Sequence, residues 1–123
     1  MTAPHRHRAI VAAYIEAYND FDLDTLARMM HEDAVLVHHN RGICARGLPA
    51  ILAQYRRTHT LMPNRRFLLP RTVETVQDCA FVTHRFVGTV SAEPPRPDAE
   101  LQLDLLTVFR FRGPRISEYH DYG

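Results

Sequence analysis

Lysine is missing from this sequence: all fifteen basic residues are arginine, set against fourteen acidic ones for a net charge of +1. So even a balance gives no electrostatic reason to expect a nucleic acid or an anionic membrane surface as partner. Cysteine is nearly missing too. Cys44 and Cys79 stand far apart, without the dense pairing of a small secreted domain or a metal-ligand spacing. Both are expected to be small buried hydrophobes. No apolar run is long enough to cross a bilayer. None follows the basic start MTAPHRHR to serve as a leader either, so a cytoplasmic, reducing compartment is the expectation. Internal repeats are absent, and the one biased tract is the proline-rich SAEPPRPDA.

What is present suits one folded domain over residues 1–123. The apolar fraction of 46% and charged fraction of 24% are ordinary for a globular chain. This length buries a core without disulfides or metals. From Ala9 to Phe21, apolar residues recur at three- and four-residue spacing, including Tyr14 and Tyr18, which predicts an amphipathic helix. Asp22 is placed to cap a second, shorter helix carrying Leu23, Leu26, Met29 and Met30. HEDAVLVHHN then changes to the alternation of a short strand. RGICARG reads as a glycine-bounded turn, and a third helix runs from about Leu48 to Thr58 with Tyr55 on its apolar side and Pro49 in its first turn. RRFLLPRTVETVQ reads as an edge strand or one bulged at Pro70. CAFVTHRFVGTV, ELQLDLLTVFRF and the closing RISEYHDY are strongly strand-prone. The order is α-α-β-α-β-β-β-β, an α+β fold with an antiparallel sheet.

Eight histidines are the compositional excess. Adjacent His38 and His39 on a strand point to opposite faces, so they do not readily share a metal. With His31, His59 and His84 they match no ligand spacing, and no metal is expected.

The element order, with YIEAYNDFDLDTLARMMHEDAVLVHH at the front and VFRFRGPRISEYHDY at the end, resembles the nuclear-transport-factor-2-like superfamily. Within it, the chain is most similar to SnoaL-like polyketide cyclases; ketosteroid isomerases and limonene epoxide hydrolases are more distant. The resemblance covers nearly the whole chain and implies a cone: a curved antiparallel sheet wrapped around three helices, with a hydrophobic pocket at the open end. It also implies a homodimer through the outer sheet face. In the closing strand Ser117, Tyr119 and Asp121 share one face. The resemblance turns that face to the cavity and puts Asp121 where related enzymes carry a catalytic Asp.

Likewise it aligns Arg85, which shares a face with Thr83 and Val87, with an Arg paired to that acid. The second Asp of the epoxide-hydrolase pattern is Val87 here. Tyr14 matches the helix Tyr that donates to an oxyanion in ketosteroid isomerases, whose logic is a worked example of pKa tuning. The isomerase base position holds His38, and its second Asp is replaced by Thr107.

The expectation is therefore a small enzyme that needs no cofactor and acts on a hydrophobic cyclic or polyketide-like molecule. The chemistry would be proton transfer: isomerisation, aldol cyclisation or dehydration. Asp121, Arg85, His38 and Tyr14 would carry it, with Tyr18, Asn40, Tyr55, Thr83, Thr107 and Tyr119 contacting substrate. Two alternatives stand beside it: a non-catalytic ligand-binding or dimerisation module, and an epoxide-hydrolase-like enzyme.

Overall fold

The computed structural model describes residues 3–91 and 100–123; most of the proline-rich loop lies outside the described residues. Helix α1 spans Ala3–Asn19 and buries His7, Val11, Tyr14, Ile15, Ala17 and Tyr18, the stripe that the apolar spacing predicts. It begins six residues before the expected start, because His7 is buried against Phe111, the rings stacked at 4.1 Å. Asp22 caps α2 (Leu23–Arg28), its Oδ1 accepting from the Thr25 backbone N–H and its Oδ2 from the Thr25 hydroxyl. Helix α3 spans Leu48–Leu61, entered through Gly47 at φ +87° with Pro49 in its first turn.

Among the described residues seven strands form one sheet: β1 (Met30–His38), β2 (Ile43–Arg46), β3 (Arg66–Phe67), β4 (Thr72–Val76), β5 (Cys79–Thr89), β6 (Glu100–Arg112) and β7 (Arg115–Tyr122). The order is β2-β1-β7-β6-β5-β3, with β4 also on β5. Two features differ from expectation. The glycine-bounded RGICARG is a short turn followed by strand β2, which pairs back onto β1. The sheet is also mixed, because β7 returns beside β1 in parallel. Short four- and two-residue strands leave little periodicity to read, and strand direction across a long separation leaves no local mark. RRFLLPRTVETVQ breaks at Leu68–Arg71 into β3 and β4, as a proline without a backbone donor favours.

The sheet curves over the helices without closing. Its inner face carries Leu36, Val82, Phe109 and Tyr119, all at most 2% exposed. Each such side chain contributes about 1.5–3 kcal/mol relative to exposure. Gly88 lets the 62–65 turn close over this face. A Cβ there would lie 3.1 Å from Met62 Sδ and 3.2 Å from Arg65 Cα. Asn19 fastens α1 to β3 by pairing its side-chain amide with both backbone groups of Phe67, at 2.8 and 3.0 Å. Among the described residues no helix is long and apolar enough to cross a membrane.

Candidate active site

Between the inner sheet face and α1 and α3 lies a cavity of about 210 Å³. Its walls divide by chemistry. Aliphatic and aromatic residues such as Leu61, Met62, Phe86, Leu101 and Leu103 make one part, while His38, Arg41, Asp121 and the tyrosines make the other.

Asp121 is the centre of the polar part. Strand alternation on β7 turns it inward, 2% exposed, beside buried Tyr119. One register shift separates it from the turn, where Arg110 pairs with Glu118 but Phe111 pairs with Ile116. The extra residue on β7 lets Ile116 and Tyr119 both be buried. Because β1 runs parallel beside β7, His38 faces Asp121 across the strands. His38 Nδ1 lies 2.6 Å from Asp121 Oδ2. A carboxylate only accepts, so Nδ1 carries the proton and Nε2 is the nitrogen available to a ligand.

Arg41 completes the group. The chain leaves β1 through a single 3-10 turn, His39–Arg41, closed by Gly42 at φ +64°. That turn brings Arg41 back, and its Nη2 donates to Asp121 Oδ1 at 3.2 Å and Oδ2 at 3.5 Å. Both carboxylate oxygens are thus engaged, and the buried charge has the partner it needs.

Arg41 was hidden in what reads as a turn. The readable signal was the H-H-N-R-G spacing, since residues three apart in a 3-10 turn lie on one side. Arg85, expected beside Asp121, stands on the outer face of β5 and pairs with Asp104 there, Nε to Oδ1 3.0 Å. Thr83 is on the same outer face, bonded to Thr72. Strand β5 buries Ala80, Val82, His84, Phe86 and Gly88. The apolar half claims the core, so its alternate, carrying Thr83 and Arg85, is turned out. Asn40, in the exposed turn, is not among the cavity-lining residues.

Of the remaining expected residues Tyr14, Tyr18, Tyr55 and Tyr119 line the cavity, while Thr107 does not. Tyr14 and Tyr55 hydroxyls bond each other at 2.8 Å. Burial pushes both phenols well above their ordinary pKa, so both stay neutral, one donating to the other and leaving a single O–H free. Tyr18 is pushed up to about 12, chiefly by burial and against the opposing pull of Arg65. Arg65 is itself buried, donating to the Tyr18 carbonyl with its guanidinium 4.9 Å from that ring's centre. Tyr119 sits between the two polar groups, 6.2 Å from His38 and 5.4 Å from Tyr14 by ring centres. Its phenol is raised too, first by burial and then by the charge of Asp121.

Thr107 is fully buried behind Asp121, its register partner. Its hydroxyl meets His84 Nε2 at 2.8 Å. His84, stacked on Phe67, has its pKa lowered to about 4 by burial and is neutral. Among the described residues no three His, Cys, Asp or Glu side chains converge as a metal would require. Cys44 is exposed and Cys79 half-buried, both free; the expectation of buried thiols fails because Cys44 lies on the short edge strand β2.

The fold has counterparts among solved structures. A putative polyketide cyclase from Xanthomonas campestris pv. campestris superposes with a TM-score of 0.85 at 20% identity, over 99% of this chain and 93% of that one. A ketosteroid-isomerase-like protein from Catenulispora acidiphila, solved with trimethylamine, gives 0.82 at 21% identity, over 93% and 84%. An epoxide hydrolase of Mycobacterium tuberculosis resembling limonene epoxide hydrolase gives 0.79 at 16% identity, over 98% and 84%. At these identities the likeness is one of fold. No curated protein matches the sequence. The model of the SnoaL-like domain, by contrast, matches residues 11–119, from the middle of α1 to the cavity-facing part of β7, and the chain therefore belongs to the SnoaL-like family.

Proposed function

We propose that this protein is an acid–base catalyst that moves a proton at a carbon next to a carbonyl of a small hydrophobic molecule. His38 is the proton carrier. Its Nε2 removes the proton from carbon, and the electron pair left behind moves onto the carbonyl oxygen to give an enolate. Asp121 keeps Nδ1 protonated and stabilises the imidazolium that forms, the orienting role a carboxylate plays behind a catalytic histidine. Arg41 holds the other side of Asp121.

The enolate oxygen takes a hydrogen bond from the one O–H that the Tyr14–Tyr55 pair leaves free, since the other is donated within the pair. That donation is worth more in a water-poor cavity than in bulk solvent. Where the substrate carries a β,γ double bond the anion is a dienolate, and His38 then returns the proton to the γ-carbon as the double bond moves into conjugation with the carbonyl, an isomerisation. Alternatively, the enolate carbon attacks a second carbonyl of the same molecule, an aldol closure in which the new alkoxide takes the proton back.

The observation that carries this reading is the 2.6 Å contact between His38 Nδ1 and Asp121 Oδ2 at the wall of a largely apolar cavity. It shifts the acid–base role from Asp121, whose oxygens are both engaged, to the histidine it orients.

The test needs no knowledge of the natural substrate. The ketone 2-tetralone in D2O exchanges its α-hydrogens as its enolate forms, and proton NMR follows the loss of signal. The protein should accelerate exchange above buffer, and His38→Gln should remove about 10²-fold or more of that acceleration. Equal acceleration by His38→Gln, or binding of 2-tetralone without any acceleration, would sink the proposal.

A further inference from the structure

Size and charge of the cavity narrow what it can take. An apolar cavity of about 150 Å³ accommodates one benzene ring, and the cavity here is about 210 Å³. It therefore encloses one six-membered ring with a short substituent, or two fused rings. A four-ring body would have to project past Leu61, Val90 and Leu101. Charge points the same way. Among the described lining residues, the fully charged groups are Arg41 and Asp121, and they are bonded to each other at 3.2 Å. Among the described residues no surplus cation remains to receive an anionic substrate, and a carboxylate stripped of water without a partner is costly.

We infer that the ligand of this site is a neutral carbonyl or enol compound of one or two rings. The inference rests on the reading of the cavity as the reaction site, and it adds the class of substrate. The polar end, with His38 and the Tyr14–Tyr55 hydroxyls, receives the oxygen, and the aliphatic end receives the ring edge. Among the described residues enclosure ends with the second ring, so further rings add no buried contact with them. The Asp121–Arg41 pair is the charge filter, because it engages the one cation among the described lining residues that an acidic ligand could use.

Isothermal titration calorimetry at neutral pH tests this with four probes: phenol, 2-naphthol, a four-ring steroidal phenol and 2-naphthoate. 2-Naphthol should bind ~10-fold or more tighter than phenol through the added apolar area. The four-ring phenol should bind no tighter than 2-naphthol. 2-Naphthoate should bind ~10-fold or more weaker than 2-naphthol. In Asp121→Asn the guanidinium of Arg41 loses its counter-ion, and 2-naphthoate should gain ~10-fold or more.

A four-ring phenol binding tenfold tighter than 2-naphthol overturns the size limit. Equal affinity of the wild type for 2-naphthol and 2-naphthoate overturns the charge filter. Either result leaves the proton-transfer reading standing as long as exchange depends on His38, whereas failure of all four probes to bind removes both. Should Asp121→Asn fail to fold, Leu103→Ala serves as the second variant. By enlarging the enclosed end it should improve the four-ring phenol relative to 2-naphthol, and an unchanged ratio contradicts the size limit.

Discussion

His38 and His39 are neighbours in the chain, and each belongs to a group that includes a carboxylate and an arginine, His38 directly through Asp121 and His39 only through His120, which lies on the opposite face of the sheet from Asp121. Inside, His38 meets Asp121 and Arg41, with the Asp121 side chain 3% exposed. Outside, His39 Nε2 meets His120 Nδ1 at 2.9 Å, His120 Nε2 meets Glu118 at 2.9 Å, and Arg110 approaches Glu118 at 3.4 Å. The Glu118 side chain is 38% exposed. The components are nearly the same; the medium differs. Charges on the outer face are screened by water, where such pairs contribute about 0–1 kcal/mol. Those on the inner face act through a poorly screening interior beside an apolar cavity. Alternation along β7, with the turn that follows β1 at His38, thus separates a set of groups able to do chemistry from a look-alike set that is surface.

The largest expected effect breaks that contrast at its centre. Asp121→Asn should lower 2-tetralone exchange by about 10²–10³-fold, because the imidazolium loses its stabilising charge. Glu118→Gln, its outer counterpart, should leave the rate within about twofold. Next, Arg41→Ala should cost about 2 kcal/mol in urea unfolding, since a buried carboxylate then keeps only His38; Arg110→Ala should cost under about 0.5 kcal/mol.

How much of this was legible beforehand follows the same division. Alternation on β7 puts Tyr119 and Asp121 on one face, but which face turns inward came from the resemblance, and Ser117, expected with them, gives way to Ile116 because of the bulge before Glu118. The same reasoning misplaced Arg85, where a family alignment was set above the apolar half of β5, Ala80, Val82 and Phe86. Those residues, not the arginine, decide which side faces the core. Arg41 was not legible as a partner of Asp121, because the contact spans eighty residues and depends on the parallel β1–β7 pairing. Helices α1 and α3 were readable from their stripes, and α2 from its Asp22 cap. The two-residue strand β3 and the edge strand β2 carried too few residues to show a period.

A smaller effect concerns His84, which belongs to the inner face but not to the cavity wall. Its folded-state pKa of about 4 lies below its ordinary 6.5. The native state therefore binds fewer protons than the unfolded chain between those values. Its stability contribution is complete above about pH 6.5 and is lost as pH falls toward 4. Chemical denaturation should show a loss of about 1–2 kcal/mol between pH 7 and 4.5, and His84→Leu should flatten that slope. An unchanged slope would mean that His84 takes up its proton without penalty. Smallest of the four, Gly88→Ala should destabilise by about 1 kcal/mol by pushing on Met62 and the Arg65 backbone, measured as a lowered Tm. An unchanged Tm would show that the 62–65 turn yields freely.

The most direct measurement is a crystal structure of the protein with 2-naphthol bound. The hydroxyl oxygen should lie within hydrogen-bond distance of His38 Nε2 or of the Tyr14–Tyr55 hydroxyls, with the fused rings against Phe86 and Leu103. A naphthol seated with its oxygen toward Leu61 and Leu101, or bound on the outer face beside His39 and His120, would contradict the account.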